Sequence, residues 1–252
     1  MHIYLIGAAW VIGVALLAGL AAHLTRRFSE KEGRAANNES AGQVFTIVGG
    51  LHAVLIAFIL IGLFDSVGTA RDTSYQEAES LVGVVWASDE LPPATSARVR
   101  ELAVSYAHQA INTEWSQMAT GSPVNTAGWN TLTEMQTTIS EAKTTSVWQD
   151  SRRAEASTQL FSVYQNRQQR LNDAVNGVSA VIWFALIVGS LLSLGLPLLF
   201  GGPKVRAHVI IVSTMAATLA VLLFAIYQLQ NPFAGGASIG PDAFQSALGR
   251  LQ

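Results

Sequence analysis

The sequence predicts an all-α, polytopic membrane protein: four transmembrane helices, arranged two and two, with a helical soluble module between the second and third. Three observations carry this. Residues 2–22, 44–64, 178–200 and 207–229 are continuous apolar stretches, and about 20 such residues in a helix cross the ~30 Å of bilayer hydrocarbon. The segment between them, 66–176, holds most of the charged residues. Half of the 252 residues are hydrophobic and only 13% are charged, against roughly 25% charged in a soluble domain. The expected division is therefore 1–65 (spans one and two), 66–176 (module), 177–230 (spans three and four) and 231–252 (a C-terminal docking tail).

The first span could be taken for a signal peptide, whose apolar core runs about 7–15 residues behind a basic start. Residues 3–22 have no preceding Lys or Arg, run longer, and are followed by Arg26 and Arg27, so a retained span is expected. In the second span Gly49, His52, Ile56, Leu60 and Leu63 share one helical face, beside a small-residue stripe of Thr46, Gly50, Ala53 and Ala57. Small residues let helices approach closely. An ionisable residue inside a span is a functional candidate, and three readings of His52 stay open: a histidine bonded to a neighbouring helix, a residue of an ion path, or a metal ligand. Asp65, at the outer end of this helix, is either a solvated helix end or part of a ring at a pore mouth, which would favour cations.

Between Asp65 and Trp86 there is no proline, and Leu81, Val82, Val85 and Trp86 keep a helical spacing, so the second helix is expected to run on into the module. Pro92 and Pro93 stop it, because proline lacks the N–H a helix interior needs. Thr95 or Ser96 is placed to cap the next helix, with Val99, Leu102, Tyr106 and Ala110 as its stripe. Gly121–Pro123 ends that element. A shorter helix follows with Trp129, Leu132, Gln136 and Ile139 along one face. A last helix from about Asp150 carries Leu160, Tyr164, Leu171 and Val175, and stops at Asn176–Gly177. These faces recur at the helical period and never alternate as strands do. Arg167 lies on the same face as Leu160, Tyr164 and Leu171, so its guanidinium is expected inside, where it needs a carboxylate. Glu77, Glu79 and Glu114 are the candidates.

Spans three and four show packing chemistry: Gly189 and Ser193, like Ala15 and Gly19, are small residues four apart, and Pro197 is placed to kink or end span three. In the tail, Phe233, Ile239, Phe244 and Leu248 stand among Gly and Pro, which predicts a segment docked on the module or on a neighbouring subunit.

The loop charges orient the chain. Arg26, Arg27, Lys31 and Arg34 follow the first span, and Lys204 and Arg206 join the third to the fourth. Basic residues in short loops mark the cytoplasm. The expected location is a bacterial plasma (inner) membrane, crossed several times, with the module extracytoplasmic.

Other classes are disfavoured. The net charge is −2, with no basic cluster or stacking platform for nucleic acid. Cysteine is absent and the five histidines show no ligand spacing, so no disulfide, metal site or cofactor is expected. There is no phosphate loop, no G-x-S-x-G elbow and no HExxH. Glu77/Glu79 and Asp89/Glu90 lie too close in sequence to converge on one helix face. No enzymatic role is expected.

Several segments in order carry a resemblance: Phe45-Thr46, Gly49 and Leu51–Phe58; Glu77-Ala78 and Leu81; Thr113-Glu114-Trp115 and Met118; Arg167 and Arg170-Leu171; and Asn231-Pro232-Phe233-Ala234-Gly235. Together they resemble a bestrophin-like family of bacterial membrane proteins. The resemblance implies a homo-oligomer, ion-channel-like, with the second helix at the axis. His52, Phe58, Phe64 and Asp65 are then the pore-lining candidates, and Glu77, Glu114, Arg167 and Arg170 the candidates for a structural salt-bridge network. The expected partners are the lipid bilayer and further copies of the chain. A non-conducting scaffold or accessory subunit, whose module binds another envelope protein, is the alternative.

Overall fold

The computed structural model of the chain describes residues 2–28, 38–198 and 205–251. Among them every regular element is helical. Lys31, Arg34 and Lys204, which enter the charge argument, lie outside the described residues, as do Gly201–Pro203 and the last two residues of the third apolar stretch. The chain divides into two compact units, Met1–Phe64 with Val178–Gln230, and Asp65–Gly177 with Asn231–Gln252.

The first unit contains α1 (His2–Phe28), the beginning of α2 (Asn38–Ser88), α7 (Ala180–Leu198) and α8 (Val205–Leu229). These supply four stretches long and apolar enough to cross a membrane. Glycine sets how closely α1 approaches α8. A Cβ at Gly7 would sit 2.7 Å from the Phe224 ring, and one at Gly19 2.5 Å from Ser213 Oγ. This is the close small-residue packing that spans use where no hydrophobic drive separates them from lipid. Ile56, Leu186 and Ile226 form the buried centre, with Leu60, Leu63, Leu219 and Leu222 against them. Leu5, Trp10, Leu16, Phe184, Ile210 and Tyr227 point outward, as on helices whose surroundings are hydrocarbon.

The second unit is built from the rest of α2 with α3 (Pro93–Gln109), a π-helical turn (Ala110–Glu114), α4 (Trp115–Ala119), α5 (Ala127–Ser140), α6 (Val147–Val175) and α9 (Asp242–Leu251). As the missing proline predicts, α2 is unbroken at Asp65 and ends at Ser88. The start of α3 differs from expectation. Pro92 occupies the cap position and Pro93 the first turn, while Thr95 and Ser96 fall inside the helix. A first-turn residue has no intrahelical N–H bond to lose, so proline is accommodated there. In α5 the buried face is Leu132, Met135 and Ile139; Gln136 is exposed, because the inward step there is three residues and not four. Ser146 accepts from the Gln149 amide at 3.2 Å and so starts α6 at Val147, a turn before Asp150. Val175, expected on the stripe, is exposed.

Leu81, Val85, Val99, Leu102, Leu132, Ile139, Leu160 and Val163 make the core of this unit. Phe233, Phe244 and Leu251 belong to the same core, with Ile239 and Leu248 at its edge. The tail thus packs into the module of its own chain.

Candidate functional site

The most concentrated chemistry is a buried charge cluster in the second unit. Glu77 comes from α2, Tyr106 from α3, Glu114 from the π-helical turn, and Arg167 and Arg170 from successive turns of α6. The side chains of Glu77, Glu114, Arg167 and Arg170 are 0% exposed. Arg170 donates to Glu77 from Nε to Oε2 at 2.7 Å and from Nη2 to Oε1 at 3.0 Å, the two-pronged geometry that makes guanidinium–carboxylate bonds strong. Its Nη2 also donates to Glu114 Oε2 at 2.9 Å. Arg167 Nη1 reaches the same oxygen at 2.6 Å and Tyr106 Oη at 3.3 Å. The Tyr106 hydroxyl donates to Glu77 Oε1. Glu79, the third carboxylate candidate, is exposed and takes no part in the cluster.

Aromatic rings flank both cations. The Arg167 guanidinium lies 4.7 Å from the Trp129 ring centre and 5.5 Å from that of Tyr106. Arg170 lies 5.4 Å from both Trp115 and Phe244. A cation over a ring face gains electrostatic attraction, more so when both are dry. Gly128 completes the enclosure: a Cβ there would stand 2.5 Å from both Arg167 Nη2 and Glu114 Oε1. A π-helical turn is rare and recurs at functional or tightly constrained sites; this one delivers Glu114.

Two carboxylates and two guanidinium groups leave the cluster formally neutral. Burial pushes the Glu114 carboxyl up, but the Arg170 charge and the contacts of Arg167 outweigh it and hold the group below the usual carboxylate range. For Tyr106, burial and then the Glu77 charge push the phenol well above its ordinary value. Burial opposes the charge on Arg170, yet Glu77 overrides it and the guanidinium stays protonated. The cluster ties α2, the π-helical turn and α6 together, with its four charged side chains fully buried. Among the described residues no group of three or more His, Asp or Glu gathers as metal ligands would.

The candidates on α2 divide. His52 is 5% exposed, with Nε2 3.0 Å from Ser190 Oγ of α7 and its ring seated against Gly189, where any Cβ would overlap it. Phe58 and Phe64 are 70% and 63% exposed, and Asp65 is also exposed. Phe58 and Asp65 are seven residues apart and share a face. At about 100° per residue, His52 and Phe64 each lie about 120° away from it, on opposite sides. Ile47, Leu51, Val54 and Ile61 lie on the face of Phe58 and Asp65 and are all exposed.

Tyr106, Gly128, Trp129 and Phe244 were legible only as core or loop residues. The one signal in the sequence was Tyr106, a hydroxyl on an apolar stripe that must find a partner inside. Gly189 carried only the small-residue spacing it shares with Ser193, and Ser190 carried no signal.

The profile of the Bestrophin-like domain matches residues 12–244. No curated protein sequence matches. Among solved structures, two single-residue variants of a bacterial bestrophin homologue from Klebsiella pneumoniae are similar. The first is 15% identical with a TM-score of 0.72 and covers 96% of this chain and 97% of that one. The second is also 15% identical with a TM-score of 0.71, and covers 96% of each chain. A structure described as a membrane protein is 15% identical, covers 97% of each chain and has a TM-score of 0.72.

Proposed function

The chain belongs to the bestrophin-like family, and from that membership we propose that it assembles with copies of itself into an ion-conducting membrane protein with α2 facing the axis. The observation that carries this is the exposed face Ile47, Leu51, Val54, Phe58, Ile61. Its alternating steps of four and three residues are the spacing by which helices line a common seam. On that face Phe58 supplies an apolar constriction. Asp65, two turns on, supplies a carboxylate ring that selects by charge. Phe64 borders the path. His52 acts from behind it, holding α2 to α7 through Ser190.

The assembly sits in a bacterial inner membrane with the module outside the cytoplasm, a placement supported by the basic residues Arg26 and Arg27 at the end of α1 and Arg206 at the start of α8. Recordings from purified protein in planar bilayers test the function. Phe58→Ala is expected to raise single-channel conductance, and Asp65→Asn to shift the cation-to-anion permeability ratio toward anions. Silent bilayers, with a second protein co-purifying in fixed ratio, would favour the scaffold reading. Exposed Trp86, Val147 and Trp148 on the module support that second reading; Trp86 and Trp148 are bridged by Arg152, which donates to the Trp86 carbonyl at 3.1 Å and lies over the Trp148 ring at 5.8 Å.

A further inference from the structure

We propose that the membrane-spanning unit binds an uncharged, single-chain amphiphile of the long-chain alcohol type in the cavity between α2, α7 and α8. The cavity measures about 710 Å³, within the roughly 300–1,000 Å³ of small-molecule sites. Gly49, Gly50 and Ala53 of α2 and Met215 and Leu222 of α8 form its walls, and Ser193 of α7 lines it as well.

Ser193 makes this more than a gap between helices. It is 4% exposed, and its Oγ has no hydrogen-bond partner. Buried polar groups are nearly always paired, because one left without a partner has lost its hydration with nothing in return. Two other hydroxyls along the wall are already engaged: Thr46 donates to the Gly42 carbonyl at 2.9 Å, and Thr218 to the Thr214 carbonyl at 3.0 Å. A ligand hydroxyl or ether at Ser193 would satisfy it.

The rest of the lining sets the ligand class. Among the described residues no Lys, Arg, Asp or Glu lines the cavity, so a charged head would lose its hydration without compensation. Ile210 and Ile211 at the rim are exposed, which opens the cavity sideways to the hydrocarbon from which an apolar chain arrives. A helix of a second copy is the competing occupant, and a disulfide between copies would reveal it.

The test uses the full chain in nanodiscs, labelled with a long-chain alcohol bearing a diazirine and an alkyne. Saturable labelling confined to peptides within 44–56 and 210–222, competed by the plain alcohol, is expected. Ser193→Ala should weaken it about three- to tenfold, one lost hydrogen bond. Gly50→Leu, which fills the cavity, should abolish it. Thr218→Val, whose hydroxyl serves its own helix, should leave it unchanged in protein that elutes like the parent. Unsaturable labelling over the whole apolar surface would overturn the proposal, as would equal competition by the matching carboxylate. So would a disulfide between copies joining cysteines placed at Gly50 and Met215, since it would put a neighbouring subunit in the cavity.

Discussion

Arg170 grips Glu77 with two nitrogens, Nε at 2.7 Å and Nη2 at 3.0 Å, across 93 positions of sequence. The pair joins α2 to α6 with both side chains fully buried, so removing either half strands the charge of the other.

Glu77→Gln and Arg170→Met should each destabilise the protein by about 3–5 kcal/mol, since each leaves a buried charge uncompensated. The combined Glu77→Leu/Arg170→Met variant should lose less than the sum. Denaturant unfolding of detergent-purified protein, followed by tryptophan fluorescence, measures all three. Additive losses would show that the two side chains do not act as a unit.

Gly128→Ala should cost about 1–3 kcal/mol, the usual penalty of overpacking, because the new methyl meets Arg167 and Glu114 at once. Gly68→Ala is the control: nothing lies within 4 Å of its Cβ position, and an alanine in a helix interior gains up to about 1 kcal/mol over glycine. The two substitutions should therefore shift the unfolding midpoint in opposite directions.

The cluster's contribution to stability should be level across neutral pH and fall at both ends. The folded-state pKa of Glu114 is depressed, so its contribution is complete above the ordinary glutamate value near 4.3 and is lost as pH falls below that toward the folded-state pKa. Tyr106 is raised, so its contribution is complete below about 10 and is lost as pH climbs past it. Tyr106→Phe should remove the tyrosine share of the alkaline fall and leave the acid fall in place, read from unfolding midpoints across a pH series.

Within the membrane-spanning unit, Ser190→Ala should cost only about 0.6 kcal/mol, typical of an interhelical hydrogen bond in a bilayer. Gly189→Val should be far worse, because its side chain would occupy the position of the His52 ring. Thermal unfolding of the two variants in the same detergent gives the order; equal losses would mean that the histidine is held by its hydrogen bond and not by the space at Gly189.

A periplasm-active reporter inserted after Gly121 should be active, and a cytoplasm-active one at the same position silent. The reverse pattern would put the module on the cytoplasmic side and overturn the reading of the loop charges.

The architecture was legible because span length and helical period are local properties. The uninterrupted α2 followed from the absence of proline between Asp65 and Trp86. Where Arg167 points followed from its spacing to Leu160, Tyr164 and Leu171. What pairs with it did not follow from spacing, which leaves Glu77, Glu79 and Glu114 equivalent; the family resemblance singled out Glu77 and Glu114, and in the structure Arg167 meets Glu114. The inward step in α5 fell one residue away from Gln136 because Met135 and Gln136 lie within one helical step of each other, and only the neighbouring helices decide which turns in. The ledge at Gly189 was invisible because its meaning lies in the shape of His52 on another helix.

Phe244 stands against Arg170 and packs edge-on to Tyr106 and Trp115 at 6.2 and 6.1 Å, yet it leaves the ribosome only after the last two spans have been made. Domains generally form as their residues emerge, but this one has to wait. Its charge cluster can be enclosed on one side only after spans three and four have been translated, so completion of the module is tied in time to insertion of the whole chain.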